Sequence, residues 1–77
     1  MQLVGKDKQP LVDEAVRLAQ CNDWKGACAV NQAIVSRFTP TTSDYNRLGA
    51  ALGHCGRISE AADAYRNALG LSPENTI

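Results

Sequence analysis

Apolar residues recur along this chain at helical spacing, and three clusters of helix-stopping residues cut the recurrence into four. Leu11, Ala15, Leu18 and Ala19 share one face, and Val12 and Val16 widen it. Pro10 suits a first helical turn, where its missing N–H costs nothing. Asn22 and Asp23 then interrupt the pattern, and both are good N-cap residues for the next helix. The second helix carries Ala27, Val30, Ile34 and Phe38 along one stripe, with Gly26 weakening its first turn. Phe38-Thr39-Pro40-Thr41-Thr42 is a stop and a restart: the residue before Pro40 is pushed out of the helical region, and Thr41 with Asp44 reads as a capping box. The third helix carries Tyr45, Leu48, Ala51 and Leu52 and ends at Gly56, where a left-handed residue satisfies orphan carbonyls. The fourth offers Ala61, Ala62, Ala64, Tyr65, Ala68 and Leu69 for packing, and the run Gly70 to Pro73 ends it. The expected helices are 10–21, 24–37, 43–55 and 58–70. No segment alternates with β-branched enrichment, so the fold class is all-α without strands.

Connections this short force neighbouring helices to run antiparallel, which gives two helix-turn-helix hairpins. Gly49 and Ala50 in the third helix, and Ala61 and Ala68 in the fourth, let helix axes approach closely. At 77 residues there is room for one domain. Such a chain buries only about 60% of the surface that it exposes when unfolded, so its stability margin is thin. Residues 1–7 read as a flexible N-terminal segment and 8–77 as the helical domain.

Eight basic and eight acidic side chains cancel. Nucleic acid and anionic membranes need an excess of Lys and Arg, so neither is an expected partner. No apolar run approaches the roughly 18 to 20 residues that span a bilayer, and Met1 to Lys8 lack the apolar stretch of a signal peptide. A soluble, cytoplasmic protein is the expectation. Cys21, Cys28 and Cys55 are odd in number, so they form no closed disulfide framework and read as small buried hydrophobes.

The hairpins look like copies of each other. A shift of 34 residues places Cys21 on Cys55, Leu18 on Leu52, Ala27 on Ala61 and Trp24 on Ile58. Within Thr42 to Asn75, Tyr45, Leu48-Gly49, Leu52, Gly56, Ala61, Tyr65, Ala68 and Pro73 stand at the spacing of a tetratricopeptide repeat, and this copy closely resembles that family's consensus. The first copy, residues 8–41, is divergent: Glu14 stands where Leu is usual and Asn31 where an aromatic is usual. Pro40 falls one residue late, which predicts a second helix longer by one residue. The resemblance implies repeats at 8–41 and 42–75, a right-handed stack of helix pairs, and a scaffold or adaptor that binds a protein or peptide on a concave face lined by the first helix of each pair.

The best-known peptide-binding members of the family clamp a C-terminal carboxylate with converging Lys, Arg and Asn side chains. Val12 and Val16 occupy those positions in the first copy, and the second offers only Asn46 and Arg47. The clamp is absent. The candidate groove is instead a shallow, near-neutral strip that includes Val12, Val16 and Gln20, continued by Asn46, Arg47 and His54; equally, Val12 and Val16 only widen the core stripe. A second candidate is the far edge of the stack. The sequence stops where a further repeat would begin, which predicts uncovered apolar positions at Tyr65, Leu69 and Leu71. Those positions suit the downstream part of a longer chain, or a homo-oligomer.

Other function classes are poorly supplied. The one histidine, His54, has no nucleophile motif around it, and Cys55 sits about 100° around the helix from it. A metal site from Cys21, Cys28, Cys55 and His54 lacks any Cys-x-x-Cys pair. A DNA-binding helix-turn-helix lacks its basic face. The expectation is no enzyme, no cofactor and no metal.

Overall fold

The computed structural model describes residues 7–71. Six of the seven residues expected to form a flexible N-terminal segment, and Pro73 with the rest of 72–77, lie outside the described residues. Among the described residues the chain is helical without strands: α1 (Gln9–Gln20), α2 (Trp24–Arg37), α3 (Thr42–His54) and α4 (Ile58–Leu71). Every boundary falls within one residue of its expected place. α1 packs on α2, α2 on α3 and α3 on α4, the last pair most extensively. Each helix therefore meets chiefly its neighbours in sequence, as in stacked repeats.

The two hairpin turns have the same construction. At the first, the N–H of Asp23 reaches back to the carbonyl of Leu18 at 2.8 Å, and that of Asn22 to Ala19 at 3.0 Å. At the second, Arg57 bonds to Leu52 at 2.9 Å and Gly56 to Gly53 at 3.1 Å. Both sets are Schellman closures, which place the residue after the C-cap in the left-handed region. Gly56 holds that position with φ 81°, and Asn22 holds it with φ 63°. Residues 34 apart thus make equivalent hydrogen bonds, down to Ala27 on the Asp23 carbonyl and Ala61 on that of Arg57.

The paired N-cap candidates Asn22 and Asp23 divide the work. Asn22 closes α1, while the Asp23 carboxylate accepts the Gly26 N–H at 3.0 Å and opens α2. A Cβ on Gly26 would sit 2.7 Å from that carboxylate, so the weak helix former leaves room for the cap. Between hairpins, Phe38 is extended and ends α2 ahead of Pro40. α2 ends at Arg37, its expected limit, and the connection 38–41 follows it.

The core cluster joins Ala27 and Cys28 of α2, Leu48, Ala51 and Leu52 of α3, and Ala61 and Ala64 of α4. Ala15, Ile34 and Ala68 are also buried. Alanine contributes little transfer free energy, about 0.8 kcal/mol per buried carbon, so the turns carry a large share of the specificity. Of the cysteines expected to be buried, Cys28 is and Cys55 is half-buried, but Cys21 is exposed. Cys21 is the C-cap of α1, whose outer side has no preceding helix among the described residues.

The left-handed positions give opposite expected outcomes. Nothing lies within 4 Å of a Cβ built on Gly56, so Gly56→Ala tests backbone strain alone. It should cost about 1 to 2 kcal/mol, whereas Asn22→Gly should be neutral or stabilise by up to about 1 kcal/mol. Urea unfolding of both variants measures the pair, and equal effects would contradict the shared turn geometry.

Candidate functional site

Asp44 is a buried carboxylate held from several sides. As N3 of α3 it accepts the Thr41 N–H at 2.9 Å, while its own N–H donates to the Thr41 hydroxyl at 3.2 Å. This is the expected capping box. Two cations join it: Lys8, just before α1, at 2.5 Å, and Arg47, one turn along α3, at 3.2 Å. The carboxylate is 2% exposed. Burial raises its carboxyl pKa, but Lys8, the Thr41 N–H, Arg47 and the Thr41 hydroxyl together outweigh burial and hold it below the usual value. Arg47, a member of the expected groove, thus has its guanidinium committed to a carboxylate of its own chain.

The rest of that groove is open. Val16 is 40% exposed, Val12 is half-buried, and Gln20, Asn46 and His54 are exposed. His54 is not a free polar side chain. Its ring stacks on Trp24 of α2, with centroids 3.8 Å apart and planes within 6°. The first-copy and second-copy members of the set come from α1 and α3, which share only a marginal contact or none beyond the Lys8–Asp44 pair.

The far edge forms a continuous stripe. Ile58, Tyr65 and Leu69 of α4 are 65%, 41% and 46% exposed, and Ala62 between them is exposed too; Leu71, 51% exposed, lies about 200° around the helix from Leu69 and off the stripe. The repeat explains this stripe. Ile58, Ala62, Tyr65 and Leu69 are equivalent to Trp24, Cys28, Asn31 and Val35 of α2, which are buried or half-buried. α3 covers α2 there: Trp24 stacks on His54, and Cys28 meets Cys55. No described helix covers α4 in the same way. Tyr65 leans back over α3, its ring 2.9 Å from where a Cβ on Gly49 would stand, so the Leu-Gly pair makes room for the aromatic. Tyr65 and His54 also border one shallow recess of about 280 Å³ with Ala50 and Gly53. One residue from each expected site therefore meets at the α3–α4 seam.

On the opposite side, α2, α3 and α4 enclose an open groove of about 460 Å³ with Val35, Tyr45, Leu48 and Leu52 on its apolar floor and Glu60 and Asp63 at its lip. Both acids are engaged by α4-side arginines, Glu60 by Arg57 and Asp63 by Arg66. Sequence reasoning missed this groove and missed the contact between Cys28 and Cys55. Their only sequence signal is that all these residues fall on faces turned toward the α2–α3 junction. Among the described residues no group of three His, Cys, Asp or Glu side chains is placed to hold a metal ion, and no helix is long and apolar enough to cross a membrane. No family model matches this chain, and no curated protein or solved structure is significantly similar to it.

The Asp44 cluster sets a pH dependence. Because the folded carboxyl titrates below its unfolded value of about 3.9, its stabilisation is present above that pH and is lost as pH falls through the folded value. Asp44→Asn should therefore be destabilising at pH 7 by about 1 to 3 kcal/mol, with the gap to wild type closing below about pH 4. Denaturant titrations at pH 7 and pH 3 check this, and a gap unchanged between them would show that the ion pairs contribute nothing.

Proposed function

We propose that this chain is a pair of tetratricopeptide-like hairpins that binds another protein through the uncovered face of α4 and catalyses nothing itself. One observation carries the reading: Ile58, Ala62, Tyr65 and Leu69 are equivalent to Trp24, Cys28, Asn31 and Val35 of α2, which are buried or half-buried, the first two against the end of α3. A face with that register suits a helix laid on α4 as α3 is laid on α2. Such helix-on-helix recognition uses apolar anchors at i, i+4, i+7 and i+11, the spacing of Ile58, Ala62, Tyr65 and Leu69. The neutral charge of the chain and its free thiols fit a protein partner in the cytoplasm better than nucleic acid or a membrane surface.

The α1–α3 strip is the weaker surface. With Arg47 held by Asp44, it has lost the one cation suited to an acidic group, and Val16 is its main exposed apolar residue. Self-association through α4 is the second reading, favoured by the self-complementarity of the stripe. In an antiparallel pair about a two-fold axis, Ile58 faces Leu69 and the small Ala62 faces the large Tyr65.

Leu69→Glu should leave the helical circular dichroism unchanged and weaken partner capture about tenfold or more, as expected for an apolar anchor replaced by a charge. Val16→Glu should change it little. If Val16→Glu abolishes binding and Leu69→Glu does not, the concave strip is the site. Light scattering of the wild type across concentrations separates a heterologous partner from a dimer, because only self-association gives a doubled mass that Leu69→Glu removes.

A further inference from the structure

Two thiols meet at the α2–α3 junction. Cys28 sits in the second turn of α2 and is 2% exposed, whereas Cys55 is the half-buried C-cap of α3. Although 27 residues apart in sequence, their Sγ atoms are 3.4 Å apart. A disulfide bond is about 2.05 Å long, so the sulfurs must close by roughly 1.4 Å, within reach of small χ1 changes at both residues. The junction is already pinned beside them. Trp24, one turn before Cys28, stacks on His54, the residue before Cys55. Neither thiol has a part in the α4 interface proposed above.

The two sulfurs have different environments. Burial, then the hydrogen bond with Cys55 and the charge of its thiolate, push the Cys28 thiol up to about 11; Arg57 opposes this and Glu60 adds to it. Cys28 is thus protonated and sheltered, and Cys55 is the sulfur that a dissolved reagent reaches. Cys21 stands one repeat before Cys55 and is exposed, and among the described residues no thiol is placed beside it.

We propose that Cys28 and Cys55 are a redox-active dithiol that reacts with a low-molecular-weight disulfide of the glutathione type and closes into an intramolecular bond between α2 and the end of α3. The Cys55 thiolate attacks one sulfur of the reagent, breaking its S–S bond, releasing one thiolate and leaving a mixed disulfide on Cys55. Cys28 then gives its proton to water, and its sulfur attacks the Cys55 sulfur and expels the second thiolate. Two protein thiols are oxidised by two electrons, and the reagent disulfide is reduced to two thiols. The bond joins the middle elements of the stack, so it fixes α3 on α2 and makes the junction between hairpins rigid. Cys21, with no neighbouring thiol, stops at the mixed disulfide.

The test uses full-length Cys21→Ser protein, incubated under native conditions with oxidised glutathione. Both remaining thiols should become unreactive to maleimide, with no glutathione mass retained and no covalent dimer, and peptide mapping should show the Cys28–Cys55 link. Fluorescence of Trp24, the only tryptophan, should change on closure, and the thermal midpoint should rise by about 10 °C and fall back on reduction. Adding Cys28→Ser should arrest the reaction at a stable glutathione adduct on Cys55. If that double variant does not fold, the same peptide map on the wild-type chain decides the matter, since it needs no substitution. Retained glutathione on Cys55 in the presence of Cys28, unreacted thiols, or a bond that forms only after denaturation would overturn the proposal.

Discussion

Ala27, Ala51, Ala61, Ala64 and Ala68 occupy the centre of this fold, and their size sets how near its helices can come. Helices faced with alanine can approach closely, and α3 and α4 are the most extensively packed pair among the described residues. Leu48 and Leu52 fill what space there is from α3. On the face of α4 next to its buried alanines, Ile58, Tyr65 and Leu69 remain exposed. Tyr65 reaches the seam only because Gly49 has no Cβ to meet its ring. The small core and the apolar exterior of α4 thus lie side by side on one helix.

A core of this kind gives up much of the transfer free energy that leucine would supply, so chain direction must be set by local devices. Both hairpin turns use the same Schellman closure, and α2 and α3 both begin on a side-chain cap. Asp44 extends one of those caps into a tertiary link. Its carboxylate closes the α3 capping box and also holds Lys8 from before α1, joining the starts of two helices that otherwise scarcely touch. Asn31 works the other way. Its amide donates to the Ala27 carbonyl at 2.9 Å, but its Oδ1 is buried without a partner among the described residues, a cost that the aromatic Tyr65 avoids at the equivalent position.

The local devices were the legible ones. Helix limits, the Thr41–Asp44 box and the left-handed Gly56 follow from spacing and residue type, because each depends on residues within one or two turns. Asn22 was ambiguous for a physical reason: asparagine suits both an N-cap and a left-handed C-terminal position, and only the Asp23 carboxylate bonded to Gly26 settles which it takes. The pairs that cross between helices were not legible. Cys28 with Cys55, Trp24 with His54 and Lys8 with Asp44 join residues 27 or more apart, and no periodicity along the chain marks them. The commitment of Arg47 to Asp44 was missed although the two are three residues apart, since a charge on an expected groove reads as available until its partner is seen.

The two ends of the stack differ in a way that gives it a direction. Where α3 presents Leu48 and Ala51 to its neighbours, α1 carries Glu14 and Arg17 at the equivalent positions, bonded to each other at 2.6 Å. A helix packed on that side of α1 would have to desolvate the ion pair, which in a low-dielectric contact costs more than the pair returns. The α4 side presents an apolar stripe in the register of the covered α2 face, and its charged pairs, Arg57 with Glu60 and Arg66 with Asp63, flank the stripe rather than interrupt it. A further helix therefore meets a desolvation penalty on one end and an apolar surface on the other. The two hairpins are alike in backbone and unlike in surface, and it is the departures from repetition, at Glu14, Arg17 and Asn31, that make one end of the stack charged and leave the other apolar.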